Sequence, residues 1–471
     1  MLSNREFLQW RDDPQSHLLW VKGDPGKGKT MLLCGIVNEL EKEPGALSYF
    51  FCQATDERIN NATAVLRSII SMLLEQEPSL ISHLQKRYDE TGKQLFEDAN
   101  AWDALSKILS SMLADPCLRG RSVLLVIDAL DECTKNLDLL LELIVQKSAA
   151  PVKWLVSSRN WPSIEKALNK AAKRLSLELN EESVSTAVAK YIQFKVGELA
   201  KRNDYTSEVE KAVKQSLLTN ANGTFLWVAL VCQELMDVSW WEVEEVVEAI
   251  PSGLDALYER MIEQICGSKH AQLCKDILAA VSVVYRPLTL DELPTYVARI
   301  PLRVSNDSRA LGEMIGHCGS FLTLRERTVF FVHHSAKDFL MRKATRKIFP
   351  SALEDMHHAI FTQSLQSMSK VLRRDMYNLV APGALIAHVT PPNPDPLASI
   401  RYSSVYWFDH LHACDPDARA GKDLQEGGSV SIFLQTRYLY WLEALSLTKS
   451  IPKGVASMLK LEKMLQVRLL Q

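Results

Sequence analysis

"LLWVKGDPGKGKTMLL", Leu18 to Leu33, decides how the rest of the chain is read. An apolar strand runs into Gly23-Asp24-Pro25-Gly26-Lys27-Gly28-Lys29-Thr30, which satisfies G-x-x-x-x-G-K-[ST], and a helical pattern follows. Glycines let a backbone turn aim its N–H groups at phosphate oxygens, and the start of the helix adds its positive end. In such a loop Lys29 bridges the terminal phosphates. Thr30 offers a hydroxyl to Mg²⁺, a hard ion that prefers oxygen ligands. A glycine-rich turn can match the pattern by accident, so the strand before it and the helix after it are what make the motif credible.

Working outward, short apolar runs alternate with helical patterns from Leu18 to about Asn180, which predicts an open parallel α/β sheet. The predicted strands are "LLWVK", "LSYFFC" (47–52), "SVLLVID" (122–128), "KWLVSS" (153–158) and "RLSLEL" (174–179). The third ends on Asp128, an acid at the tip of a strand expected beside the phosphate-loop strand, where it can hold Mg²⁺ through its waters. Asp131 and Glu132 follow, and either can orient or deprotonate an attacking water. The plain alternative for these acids is a solvated helix start, which favours negative charge. Arg159, after "VSS", falls at the carboxyl edge of the sheet, where ligands of open α/β folds bind. It either senses the γ-phosphate or pairs with a surface acid.

After Glu181 the strand patterns stop and amphipathic helices take over: "VSTAVAKYIQFKVGELA", "TSEVEKAVKQSLL" and "FLWVALVCQELMD". Helical segments at 271–284, 290–299 and 308–317 then lead into "FLTLRERTVFFV", two alternating strands around a charged turn, a pattern that predicts a winged-helix module. The remainder reads as helices broken by "TPPNPDPLAS" (390–399) and "DPDARAGKDLQEGGS" (415–429). The expected division is therefore a phosphate-loop domain at 1–180, a helical domain at 181–268, a winged helix at 269–345 and a helical region at 346–471. Before the first strand, "REFLQWRDD" predicts a short helix packed on the core.

Composition narrows the partners. The 471 residues are 47% hydrophobic and 24% charged, with a formal net charge of −3. That is globular composition, and it argues against bulk nucleic-acid or acidic-lipid binding. Between 269 and 343, eleven Lys or Arg stand against seven Asp or Glu, dispersed rather than gathered on one recognition element, so DNA reading is not expected of the winged helix. Nine cysteines lie singly with no C-x-x-C, which fits a reducing cytoplasmic setting. The apolar run "TFLWVALVCQELM" is too short to span a bilayer. "SVYWFDHLHACD" (404–415) and "RYLYWLEALSL" (437–447) have the spacing of core helices. His410, His412 and Cys414 suggest no fourth metal ligand.

"WVKGDPGKGKTMLL", "LLVIDALDEC" and "WLVSSRNWPSIE" resemble the NACHT nucleotide-binding domain of fungal NOD-like receptors, also known as a nephrocystin-3-like N-terminal domain, within the STAND class of P-loop NTPases. The resemblance continues through "NGTFLWVALVCQEL", "PSGLDALYERM", "VHHSAKDFL" and "YLYWLEALSL", nearly the whole chain. It implies a nucleotide-operated switch. ADP or GDP holds a closed monomer, and exchange for ATP or GTP with Mg²⁺ opens it to homo-oligomerise, with slow hydrolysis resetting it. In "VHHSAKDFL", Ser335 is expected to cap a helix and Asp338 to close a capping box. The resemblance adds a role for His333, whose counterpart contacts the bound diphosphate. Ala336-Lys337 departs from many animal relatives, which carry a bulky aromatic and a polar residue there.

Relatives of this kind carry an effector domain before the NACHT core and WD, ankyrin or tetratricopeptide repeats after it. Only Met1 to His17 precede the first strand here. The expectation is thus either a piece of a longer protein or a switch module working with effector or sensor proteins in trans. Two other functions fit the same motifs: a P-loop motor or kinase, and a degenerate NACHT scaffold that no longer hydrolyses nucleotide. The first would need an arginine-rich acceptor lid or a helicase-like motif series, neither of which is seen.

Overall fold

The computed structural model describes residues 4–91, 101–148, 152–169, 172–177, 181–349, 351–379, 386–414 and 420–469. They divide into two compact units, Met1–Arg260 and Met261–Gln471.

The first unit is built on a parallel sheet. Its strands are β1 (Leu18–Lys22), β2 (Ala46–Phe51), β3 (Val123–Asp128), β4 (Val152–Ser158) and β5 (Lys173–Ser176), in the order β2-β3-β4-β1-β5. The end of the predicted fifth strand, 178–179, lies outside the described residues. Near-continuous apolar runs form these strands because both sheet faces are covered. Side chains alternate between the faces, so Leu18, Trp20, Val123, Leu125, Ile127, Trp154 and Val156 join one core with the helices Ala62–Gln76, Ala101–Leu113, Leu137–Gln146 and Pro162–Leu168.

β3 is not the neighbour of β1. β4 lies between them, pairing Trp20 with Val156 on one side and Ile127 with Val156 on the other. The expected adjacency of Asp128 to the phosphate-loop strand is corrected accordingly. The helix Lys29–Leu40 reaches across the gap, packing on both β3 and β4.

The leading helix, Arg5–Asp12, buries Phe7 and Trp10. Lys153 Nζ donates to its last carbonyls, those of Trp10 (2.7 Å) and Arg11 (2.9 Å), and so supplies a cation at the negative end of that helix. Beyond the sheet the unit continues as the helices Glu181–Asn203, Ser207–Asn220, Phe225–Leu235 and Val243–Glu248.

The second unit is mostly helical around one small antiparallel sheet: β6 (Leu288–Thr289), β7 (Leu322–Arg325) and β8 (Thr328–Phe331), in the order β6-β8-β7. Glu326 and Arg327 turn the β7–β8 hairpin with φ of 45° and 63°, as a tight two-residue turn requires. The helices Ala271–Val283 and Ser308–Gly316 flank it as the pattern predicts. The helix expected at 290–299 is a single turn, Leu293–Tyr296, with Pro294 at its start. Glu292, just before it, points its carboxylate inward to the Arg286 guanidinium, with oxygen–nitrogen distances of 2.8 and 2.6 Å.

Aromatic residues fill the rest of this unit. Trp407 and Trp441 are fully buried, with ring centroids 6.0 Å apart, on the helices Arg401–His412 and Ser429–Leu447. Beside them runs a chain of hydrogen bonds. The Tyr402 hydroxyl accepts from the Tyr285 N–H at 3.0 Å and shares a proton with His410 Nε2 at 2.8 Å. His410 Nδ1 and His357 Nδ1 lie 2.8 Å apart, one of the two nitrogens donating to the other. Cys414 Sγ donates to the His410 carbonyl at 3.0 Å.

Burial lowers the proton affinity of both imidazoles, more strongly for His410. Charging both rings would set two N–H groups against each other. In the unfolded chain both rings titrate near 6.5. Stability is thus expected to be full above that pH and to fall as pH drops below it, by roughly 1.4 kcal/mol per unit for each ring that stays neutral when folded. Urea midpoints from pH 7.5 to 5.5 measure this. A flat profile, or an identical slope in His357→Gln, would contradict it.

Candidate functional site

At the end of β1 the chain leaves the sheet, with the Gly23 N–H still bonded to the Ser158 carbonyl at 3.3 Å. Pro25 and Gly26 make the turn. Gly26 and Gly28 take φ of 76° and 81°, a backbone that L side chains rarely adopt. Gly28 is the N-cap of Lys29–Leu40 and provides no side-chain acceptor, so the first N–H groups of that helix have no side-chain cap, the arrangement that suits an anion. Lys29 Nζ lies within the loop, bonded to the carbonyls of Gly23 (2.5 Å) and Asp24 (3.0 Å).

Opposite stands Asp128, 2% exposed at the end of β3. Its Oδ2 accepts from the Thr30 hydroxyl at 2.6 Å, and its Oδ1 accepts from the Ser157 hydroxyl. Ser157 Oγ in turn accepts from the Ala129 N–H at 2.9 Å. Burial raises the Asp128 carboxyl above its ordinary range, opposed by the bonds from Ser157 and Thr30. A buried carboxylate and a hydroxyl so placed are hard oxygen donors of the kind Mg²⁺ takes, so the residues present fit a magnesium–nucleotide site.

Ala129 has a left-handed φ of 55°, and a short turn carries Asp131 and Glu132 past the strand end. Asp131 accepts from Arg159 twice, from its backbone N–H at 2.9 Å and its Nε at 3.0 Å. The acid that Arg159 pairs with is thus a buried one. Glu132 Oε2 accepts from the Ala54 N–H at 2.9 Å, in the loop after β2.

Sequence reasoning missed the cover over the loop. Thr224, Phe225 and Leu226 begin the helix Phe225–Leu235 and rest on the phosphate loop. A Cβ at Gly26 would lie 2.8 Å from Thr224 Cγ2, and one at Gly28 would lie 2.8 Å from Phe225 Cδ2. Lys27 Nζ donates to the Asn222 carbonyl at 2.6 Å. The signal was the Asn222-Gly223 pair, two successive left-handed residues that turn the chain before that helix. Ser157 was also missed as a functional residue. Its only mark was a pair of serines, Ser157 and Ser158, closing an apolar buried run.

Gly28→Ala is expected to strain the loop and lift this cover, at a cost of about 1–3 kcal/mol. Hydrogen exchange at amides 222–228 should quicken. Unchanged protection there would refute the contact.

His333, in the second unit, is itself the N-cap of the helix His334–Arg342. The expected cap at Ser335 is corrected: Ser335 donates its backbone N–H to His333 Nδ1 at 3.1 Å, and its Oγ lies 2.7 Å from the same nitrogen. An accepting Nδ1 places the imidazole proton on Nε2. Asp338 pairs with His334 at 3.1 Å.

The parallel sheet, the glycine-rich loop and the facing acid are those of a P-loop NTPase-like chain. Residues 1–159 match the family described as Nephrocystin 3, N-terminal. The chain is 50% identical over 487 residues to Vegetative incompatibility protein HET-E-1 of Podospora anserina, an alignment covering 99% of this chain. The chain spans 36% of that relative's length. Among solved structures, it is similar to a chain of Drosophila ORC bound to DNA, with 16% identity, a TM-score of 0.32, and 71% of this chain and 84% of that one covered. A Walker-type ATPase of Pyrococcus abyssi gives 12% identity, a TM-score of 0.32, and 72% and 94% coverage. Among the described residues no helix is long and apolar enough to cross a membrane.

Proposed function

We propose that this chain is a nucleotide-operated switch of the vegetative-incompatibility type, closed with ADP or GDP and opened by ATP or GTP with Mg²⁺. The observation that carries the proposal is the 2.6 Å contact of Thr30 with Asp128 at the mouth of a glycine loop. The backbone from Gly23 to Thr30 cradles phosphate, and Lys29 exchanges its two carbonyl partners for terminal phosphate oxygens. Thr30 and Asp128 hold Mg²⁺, which neutralises phosphate charge when bound. Asp131, committed to Arg159 by two bonds, aims that guanidinium toward the γ-phosphate. The water-orienting role then goes to Glu132. His333, with its proton on Nε2, donates to the diphosphate in the closed state.

In this proposal the NTPase domain is 1–180, the lid 181–268, the winged helix 269–345 and the helical region 346–471. The hairpin β7–β8 with its flanking helices supports the third of these. The triphosphate form assembles with copies of itself and signals to effector or sensor proteins in the cytoplasm. Analysis of nucleotide released from the purified protein by chromatography is expected to give near-stoichiometric ADP or GDP, and so to fix the base. A preparation that carries no nucleotide and binds neither triphosphate with Mg²⁺ would sink the proposal. A triphosphate left intact for hours would make the chain a scaffold instead.

A further inference from the structure

Between the helices Phe225–Leu235 and Val243–Glu248, two neighbouring indoles stand open. Trp240 is 43% and Trp241 66% exposed, with their rings edge-on and centroids 5.8 Å apart. Exposed tryptophans of this kind mark contact surfaces. Acids flank them in the sequence: Asp237, Glu242, Glu244, Glu245 and Glu248 are all exposed, and no Lys or Arg occurs from Met236 to Ile250. Arg202 lies 3.9 Å from Asp237 at the border of the patch. Such a surface repels anionic lipid and nucleic acid. It selects a partner that brings guanidinium or ammonium groups, which also sit favourably over indole faces.

The second unit carries the opposite charge in "MRKATRKIF", Met341 to Phe349. Arg342, Lys343, Arg346 and Lys347 are exposed, and no Asp or Glu occurs from Phe339 to Leu353. Lys347 has Glu263 at 3.4 Å, so the arginines define the face.

We propose that these two surfaces meet between copies of the chain, the indole pair and its acids on one copy against the Arg342–Arg346 face of the next. This rests on the reading that the triphosphate form assembles. The surfaces differ, so the contact is heterologous. Each copy offers one and receives one, and association continues into a ring or filament instead of stopping at two.

Light scattering after size exclusion tests this on the full chain with Mg²⁺ and a non-hydrolysable ATP analogue, then its GTP counterpart. The parent is expected to form species larger than a dimer. Trp240→Ala/Trp241→Ala and Arg342→Glu/Arg346→Glu are each expected to stay monomeric alone while binding the analogue like the parent. Mixed in equal amounts, they should form a heterodimer and nothing larger, because each supplies the face the other lacks. Parent assembly matched by either variant, or a mixture that stays monomeric, overturns the pairing while leaving the assembly reading intact. A parent that binds the analogue yet remains monomeric overturns both.

Discussion

Lys29→Ala is expected to weaken triphosphate binding by about 100-fold or more, the effect of removing one partner of a desolvated, hydrogen-bonded charge pair worth about 3 kcal/mol. Alanine keeps the helix start but leaves phosphate oxygens without the ammonium. The carbonyls of Gly23 and Asp24 lose a donor as well, so urea unfolding should accompany the titration to separate lost fold from lost affinity. Lys27→Ala gives the comparison. Lys27 bonds the Asn222 carbonyl, so its loss should speed nucleotide release more than it weakens phosphate contact. Binding by Lys29→Ala within threefold of the parent, measured with a fluorescent triphosphate and Mg²⁺, would end the nucleotide proposal.

Glu292→Ala is expected to cost about 3–5 kcal/mol, the usual penalty for leaving a buried charge uncompensated. Glu292 is fully buried and accepts from both Arg286 terminal nitrogens, from the Thr289 N–H at 2.9 Å and from the Tyr402 N–H at 2.9 Å. Without it, Arg286 keeps the Tyr402 ring at 5.2 Å and the Pro287 carbonyl, too little to hold a guanidinium away from water. A domain holds only about 5–15 kcal/mol in total, so this one change can bring the second unit near its limit. Replacing both partners, Arg286→Met with Glu292→Leu, should cost less than Glu292→Ala alone. The pair would not be structural if the single variant shifted urea stability by under about 1 kcal/mol.

How far the sequence reached depends on the range of the interaction. β1 to β4 announced themselves because each is a short apolar run between turn signals, and the phosphate loop because its spacing is local. The place of β4 between β1 and β3 could not be read, since parallel pairing joins residues far apart and no local pattern records which strands meet. The same limit hid Thr224 and Phe225, whose contact with Gly26 and Gly28 crosses most of the first unit. Local readings failed where a side chain took an uncommon role. An imidazole caps the helix at His334 where a serine was expected, and Glu292 turned inward to Arg286 at the start of a helix read as longer. Asp131 and Glu132 were equivalent as letters. Only their partners, Arg159 and the Ala54 amide, distinguish them.

Gly26 and Gly28 have a consequence for how such motifs are recognised. Each lacks a side chain for two separate reasons: a positive φ in the loop, and a helix start packed where a Cβ would sit. A descendant that had lost every contact with nucleotide would still need glycine at both positions to seat Thr224 and Phe225. The two glycines would then outlast Lys29 and Asp128, and remain as a trace of the phosphate loop after the full G-x-x-x-x-G-K-[ST] spacing had ceased to match.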